Sequence, residues 1–91
     1  MTFMVMRGQV GDFDAWKERF DSDPPRARES ATGYSVLRSA DDPGEVFVQV
    51  EFPTREDAEE GRRRLVESGV LERLEEHTGP TLCEQVASVR L

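Results

Sequence analysis

The stretch EVFVQVEF, residues 45–52, sets Val46, Val48, Val50 and Phe52 at every second position, with Phe47, Gln49 and Glu51 between them. A period of two marks a strand and sends the two sets to opposite faces of a sheet. The first set is entirely branched or aromatic, so water has to be kept from that face. The chain must therefore supply covering layers, and the flanking segments show where they come from.

Residues 2–9 carry the run Phe3-Met4-Val5-Met6 and read as a strand buried on both faces. Gly11 breaks it, Asp12 is an N-cap, and Asp14 sits at the positive end of a helix that runs to about Asp21. Phe13, Trp16 and Phe20 fall on one stripe of this helix. Pro24 and Pro25 stop it, and Pro25 can open a second short helix through Ser30 that Gly33 ends. GYSVLRS (33–39) then pairs with 45–52 across an Asp-Pro-Gly turn.

Thr54 and Asp57 resemble a capping box, opening a helix with Glu59–Arg63 and Glu60–Arg64 as i, i+4 pairs. Ala58, Leu65 and Val66 are its expected buried side. Ser68-Gly69 interrupts it, and Val70, Leu71 and Leu74 add a further amphipathic turn. Gly79-Pro80 is the expected stop, and TLCEQVASVRL (81–91) the expected last strand.

The order β-α-β-β-α-β with right-handed crossovers gives an α+β, ferredoxin-like fold. Its four-stranded antiparallel sheet carries both helices on one face. The other face stays bare. It holds Phe47 with an alternate set from the first strand and one from the last, either Leu82 and Val86 or Cys83, Ala87, Val89 and Leu91. A second copy can cover such a face by self-complementarity, so a homodimer is expected. At 91 residues, 1–91 reads as a single domain.

Net charge is −7, and no basic patch alternates with aromatics, so neither nucleic acid nor membrane is an expected partner. No apolar stretch approaches the roughly 20 residues a span needs. The N-terminal apolar run lacks a cationic lead, so it does not read as a signal peptide and a cytoplasmic location is expected. Cys83 is the one cysteine, on a strand, where it reads as a small buried hydrophobe.

Trp16 shares its stripe with two phenylalanines, and is expected to wall a pocket between helix and sheet without doing chemistry. His77 alone has an unperturbed pKa suited to proton transfer near neutrality. Its expected place in the last helical turn before Gly79 would also let an imidazolium meet the helix dipole. Tyr34 and Arg38 share one side of their strand, while Gln49 and Glu51 share one side of the next. Such groups bind carbonyls or phenols, act as acid and base, or form an interface network. No spacing of Cys, His and acids completes a metal site, and no phosphate loop is present.

DFDAWKERFD, ATGYSVLRSADDPGEVFVQVEFPTREDAEEG and GVLERLEEHTGP together resemble the dimeric α+β barrel proteins. More narrowly, they resemble small actinobacterial antibiotic-biosynthesis monooxygenase and polyketide cyclase-like members. The resemblance covers essentially the whole chain. It implies a dimer of ferredoxin-like folds with a small-molecule cleft in each, and cofactor-free chemistry. The expectation is a cofactor-independent cyclase or monooxygenase acting on a polyketide-like or aromatic metabolite. His77 and Tyr34 would move protons, and Trp16, Arg38 and Glu51 would bind substrate. Relatives often carry a histidine after the F-D of the first helix, where this chain has Asp21-Ser22-Asp23-Pro24-Pro25. That difference favours the alternative, a non-catalytic ligand-binding or interaction module of the same fold.

Overall fold

Val46 and Phe52 are fully buried and Val48 and Val50 nearly so; the helices cover the face they share. The computed structural model describes all 91 residues. In chain order the elements are β1 (Thr2–Gln9), α1 (Phe13–Ser22), β2 (Gly33–Arg38), β3 (Glu45–Phe52), α2 (Arg55–Ser68), a 3₁₀ turn (Val70–Arg73) and β4 (Glu76–Glu84). The sheet order is β2-β3-β1-β4, antiparallel throughout. This is the four-stranded ferredoxin-like α+β arrangement that the element order requires. No helix is long and apolar enough to cross a membrane.

Directly opposed residues of an antiparallel ladder share a face. Met4 opposes Val50 and Met6 opposes Val48, while Tyr34, Val36 and Arg38 oppose Val50, Val48 and Val46. All of these lie on the helix side. Met4, Val48, Val50, Phe52 and Ala58 form the core there, with Trp16, Phe20, Leu65 and Leu82 packed against it. Each such valine or phenylalanine contributes about 1.5–3 kcal/mol through burial. The opposite face carries Phe3, Val5 and Arg7 against Glu51, Gln49 and Phe47, with Leu37 beside Phe47. Residues of β1 on this side are only half-buried, not enclosed as expected.

Two turns of sequence fold differently from their expected form. The short helix over 25–30 is absent. Asp23 adopts a left-handed conformation at φ 44°, and Arg26 does so at 54°. The Asp23 carboxylate accepts from the N–H groups of Ala27 (3.1 Å) and Arg28 (3.0 Å). Those bonds roll the segment into consecutive turns in place of a helix.

Gly79-Pro80 does not stop a helix either; it lies within β4. The helical segment ends at Leu74, and Glu75 N–H then donates to Gln9 O at 3.0 Å. From there Glu76, His77 and Thr78 pair with Gln9, Gly8 and Arg7. Gly79-Pro80 (a cis peptide) sits where the ladder shifts between Val5 and Arg7. Gly79 has φ 85°, and a Cβ there would come within 2.7 Å of Val5 O, so the bulge needs glycine. The last strand thus runs Glu76–Glu84 instead of 81–91, and residues 85–91 leave the sheet with Val86, Val89 and Leu91 exposed. Cys83 is exposed and not buried as expected, because it opposes Phe3 on the face without helices.

In α2, Thr54 Oγ1 accepts from Asp57 N–H at 3.1 Å, as its sequence requires. Arg64 pairs with Glu60 at 3.0 Å, but Glu59 takes Arg55 (3.0 Å), leaving Arg63 to Glu60 and Glu67. Val66 faces solvent, and the buried residues are Ala58 and Gly61. Gly61 allows the closest approach: a Cβ there would meet Ala27 O at 2.6 Å and the Phe52 ring at 2.8 Å.

Candidate functional site

Asp12 accepts the Ala15 N–H at 3.2 Å and starts α1, yet the helix buries none of its own residues completely. It stands off the sheet on its aromatic stripe. Trp16 stacks on Phe20 with centroids 5.1 Å apart at 30°, and Phe13 tilts against Trp16 at 5.9 Å. Phe20 meets the edge of Tyr34 at 5.5 Å. The Arg28 guanidinium lies 3.9 Å over Phe20 and 4.6 Å over Tyr34, and Arg38 lies 4.5 Å over Phe13. Each contact gains from the negative face of a ring. Tyr34 and Arg38 therefore fasten α1 to the edge strand β2.

Beneath α1 is a cavity of about 140 Å³. Its floor is Met4, Met6, Val48 and Val50 from the sheet; Leu65, Val70, Leu71 and Leu74 form the far wall. Trp16 and Phe20 roof it, and Pro24, Pro25 and Ala27 close one end. Its charged groups are Asp12, Arg19, Asp23, Arg28 and Arg73. No serine, tyrosine, cysteine or histidine belongs to the lining.

The closing loop is tied to α2. Arg64 donates to Glu29 at 2.6 Å and to Arg26 O at 3.2 Å. That guanidinium holds the Glu29 carboxyl below its ordinary range. Arg63 first, and Arg64 second, lower the Glu60 carboxyl from 4.5 to about 2. The ion pairs are exposed and individually weak, but together they fix where Pro24–Ala27 sits against the cavity.

Of the residues singled out from sequence, Trp16 alone lines this cavity. Tyr34 and Arg38 share its side of the sheet but lie outside the lining. Glu51 opposes Gly33 on the far face, where its Oε1 accepts from Thr32 Oγ1 at 3.2 Å. The register thus separates Tyr34 and Arg38 from Gln49 and Glu51. His77 is on exposed β4, not in a helical turn; it opposes Gly8, and its Nδ1 lies 3.1 Å from Gly79 O. Arg19, Arg28 and Arg73 were not singled out, because one side chain per distant segment leaves no local pattern. Among His, Cys, Asp and Glu, no group of three or more could hold a metal ion.

No family model matches the chain, and no curated protein matches its sequence. Solved structures do. A candidate antibiotic biosynthesis monooxygenase from Nitrosomonas europaea superposes with a TM-score of 0.70 at 17% identity, over 93% of this chain and 89% of the other. A variant of SnoaB, a cofactor-independent oxygenase from Streptomyces nogalater, gives 0.69 at 14% identity, over 97% and 95%. Rv0793 from Mycobacterium tuberculosis gives 0.65 at 19% identity, over 99% and 100%. At these identities the likeness is one of fold, and it spans nearly the whole of each chain. The chain has the ferredoxin-like α+β fold of the antibiotic biosynthesis monooxygenase structures.

Proposed function

We propose that this protein is a homodimer working in the cytoplasm that binds a small aromatic metabolite, polyketide-derived or simpler, beneath α1. There it carries out a cofactor-independent oxygenation or ring closure. The cavity under a helix with no fully buried residue carries this reading. A roof of Trp16 and Phe20 over a floor of methionine and valine suits a flat apolar ring. SnoaB, with the same fold, is a cofactor-independent oxygenase, which supports the reaction class. The protein's share of the catalysis is orientation of the ring and exclusion of water.

The dimer rests on the uncovered sheet face. Phe47 and Leu37 oppose one another there and are exposed, and the tail beyond Glu84 extends Val86, Val89 and Leu91 into water. An identical face and tail from a second copy would shelter them.

One observation favours a second reading, ligand binding without turnover. The lining offers no group whose ordinary pKa lies near neutrality. Trp16 fluorescence tests binding, because it is the only tryptophan and it roofs the cavity. Aromatic compounds should quench it saturably, and Leu71→Phe should weaken their binding by taking up space without adding a second tryptophan. Oxygen uptake or product formation with a bound compound separates the enzyme from the binding module. A panel of aromatic compounds that leaves Trp16 emission unchanged would overturn both.

A further inference from the structure

We infer that the ligand is a one-ring aromatic anion, its ring beneath Trp16 and its carboxylate or phenolate held by Arg19 and Arg73. This rests on the reading of the cavity as a binding site. The volume sets the ring count. A space of about 140 Å³ is close to the roughly 150 Å³ apolar cavity that accepts benzene, so it takes one ring.

The charge follows from which side chains are already committed. Asp12 caps α1 through Ala15 N–H. Asp23 accepts two backbone N–H groups and lies 3.8 Å from Arg28 Nε. Arg28 is further occupied by the Phe20 carbonyl and by two rings. Arg19, from α1, and Arg73, from the 3₁₀ turn, line the same cavity, and neither takes part in any ion pair of the fold. Six of the eleven arginines form no ion pair, and of these six only Arg19 and Arg73 line the cavity. A planar guanidinium matches a carboxylate through paired N–H donors. The ligand supplies the missing anion.

The test pairs 4-fluorobenzoate with its neutral counterpart 4-fluorobenzamide, read by fluorine line broadening and by Trp16 quenching on the full chain. The benzoate should bind about tenfold more tightly at low salt, with the preference shrinking as salt rises. Arg19→Gln and Arg73→Gln, both at exposed positions, should each reduce that preference, weakening benzoate more than benzamide. Equal affinity for the two probes in the unmodified protein would overturn the anion assignment and leave the cavity reading standing. A preference that survives both substitutions would overturn the role of these two arginines. Failure of both probes to bind at all would overturn the cavity reading together with the inference.

Discussion

Arg28 lies over the ring of Phe20 and donates through the same guanidinium to the Phe20 backbone carbonyl. One side chain thus holds the last turn of α1 by both its ring and its backbone, and it is largely buried in doing so. Arg28→Ala should destabilise the fold by about 2–3 kcal/mol: roughly 1–2 from the cation–ring contact and about 1 from the hydrogen bond. Lysine should recover only part of this, since an ammonium does not stack as a planar guanidinium does. Urea unfolding of the three proteins measures both.

Gly61 is the point where α2 comes down on Phe52. Alanine there would push a methyl group against the Ala27 carbonyl and the Phe52 ring, neither of which is a flexible side-chain end. The loss should be about 1–3 kcal/mol despite alanine's better helix propensity. Gly33→Ala is the control, because nothing lies within 4 Å of its added Cβ. Thermal unfolding should show a clear drop for the first and little change for the second.

Acid should weaken the α2 ion-pair network. The Glu60 carboxyl is lowered from 4.5 to about 2 by Arg63 and then Arg64, so the folded state releases this proton more readily than the unfolded chain. Its stabilising contribution is therefore full above about pH 4.5 and is lost as pH falls towards 2. Glu60→Gln should flatten the stability curve across that window, and high salt should flatten it too. Denaturant midpoints between pH 2 and 6 supply the measurement.

Phe47 tests the proposed dimer. It opposes Leu37 on the face without helices, so Phe47→Glu should leave the core intact and place a charge where two copies would meet. Sedimentation should shift from dimer to monomer with circular dichroism unchanged. Removing residues 85–91 should act in the same direction.

The core was readable because it obeys one local rule. The alternation Val46, Val48, Val50, Phe52 dictated a covered face, and those are four of the best-buried residues. The start of each helix was equally readable, since Asp12 and Thr54 cap by side chains adjacent in sequence to their targets. One misread segment depends on partners far along the chain, the other on a rare local backbone conformation. Gly79-Pro80 has the composition of a helix stop, and only the ladder to Val5 and Arg7 makes it a strand bulge. Arg26 adopts a left-handed conformation that arginine rarely takes, so no composition signal marks it. Of the cavity, the aromatic roof was visible as a stripe. The floor and Arg19, Arg28 and Arg73 come from five separate stretches and converge only on folding.

Helix α1 buries none of its residues completely and is bounded by Gly11 and by Pro24-Pro25. Its backbone amides are therefore weakly defended against deuterium, in contrast to those of β1 and β3 at the middle of the sheet. Lifting this one segment uncovers the chamber while the four strands keep their ladder. If the proposed guest binds there, an occupant wedged under Trp16 would slow this local opening.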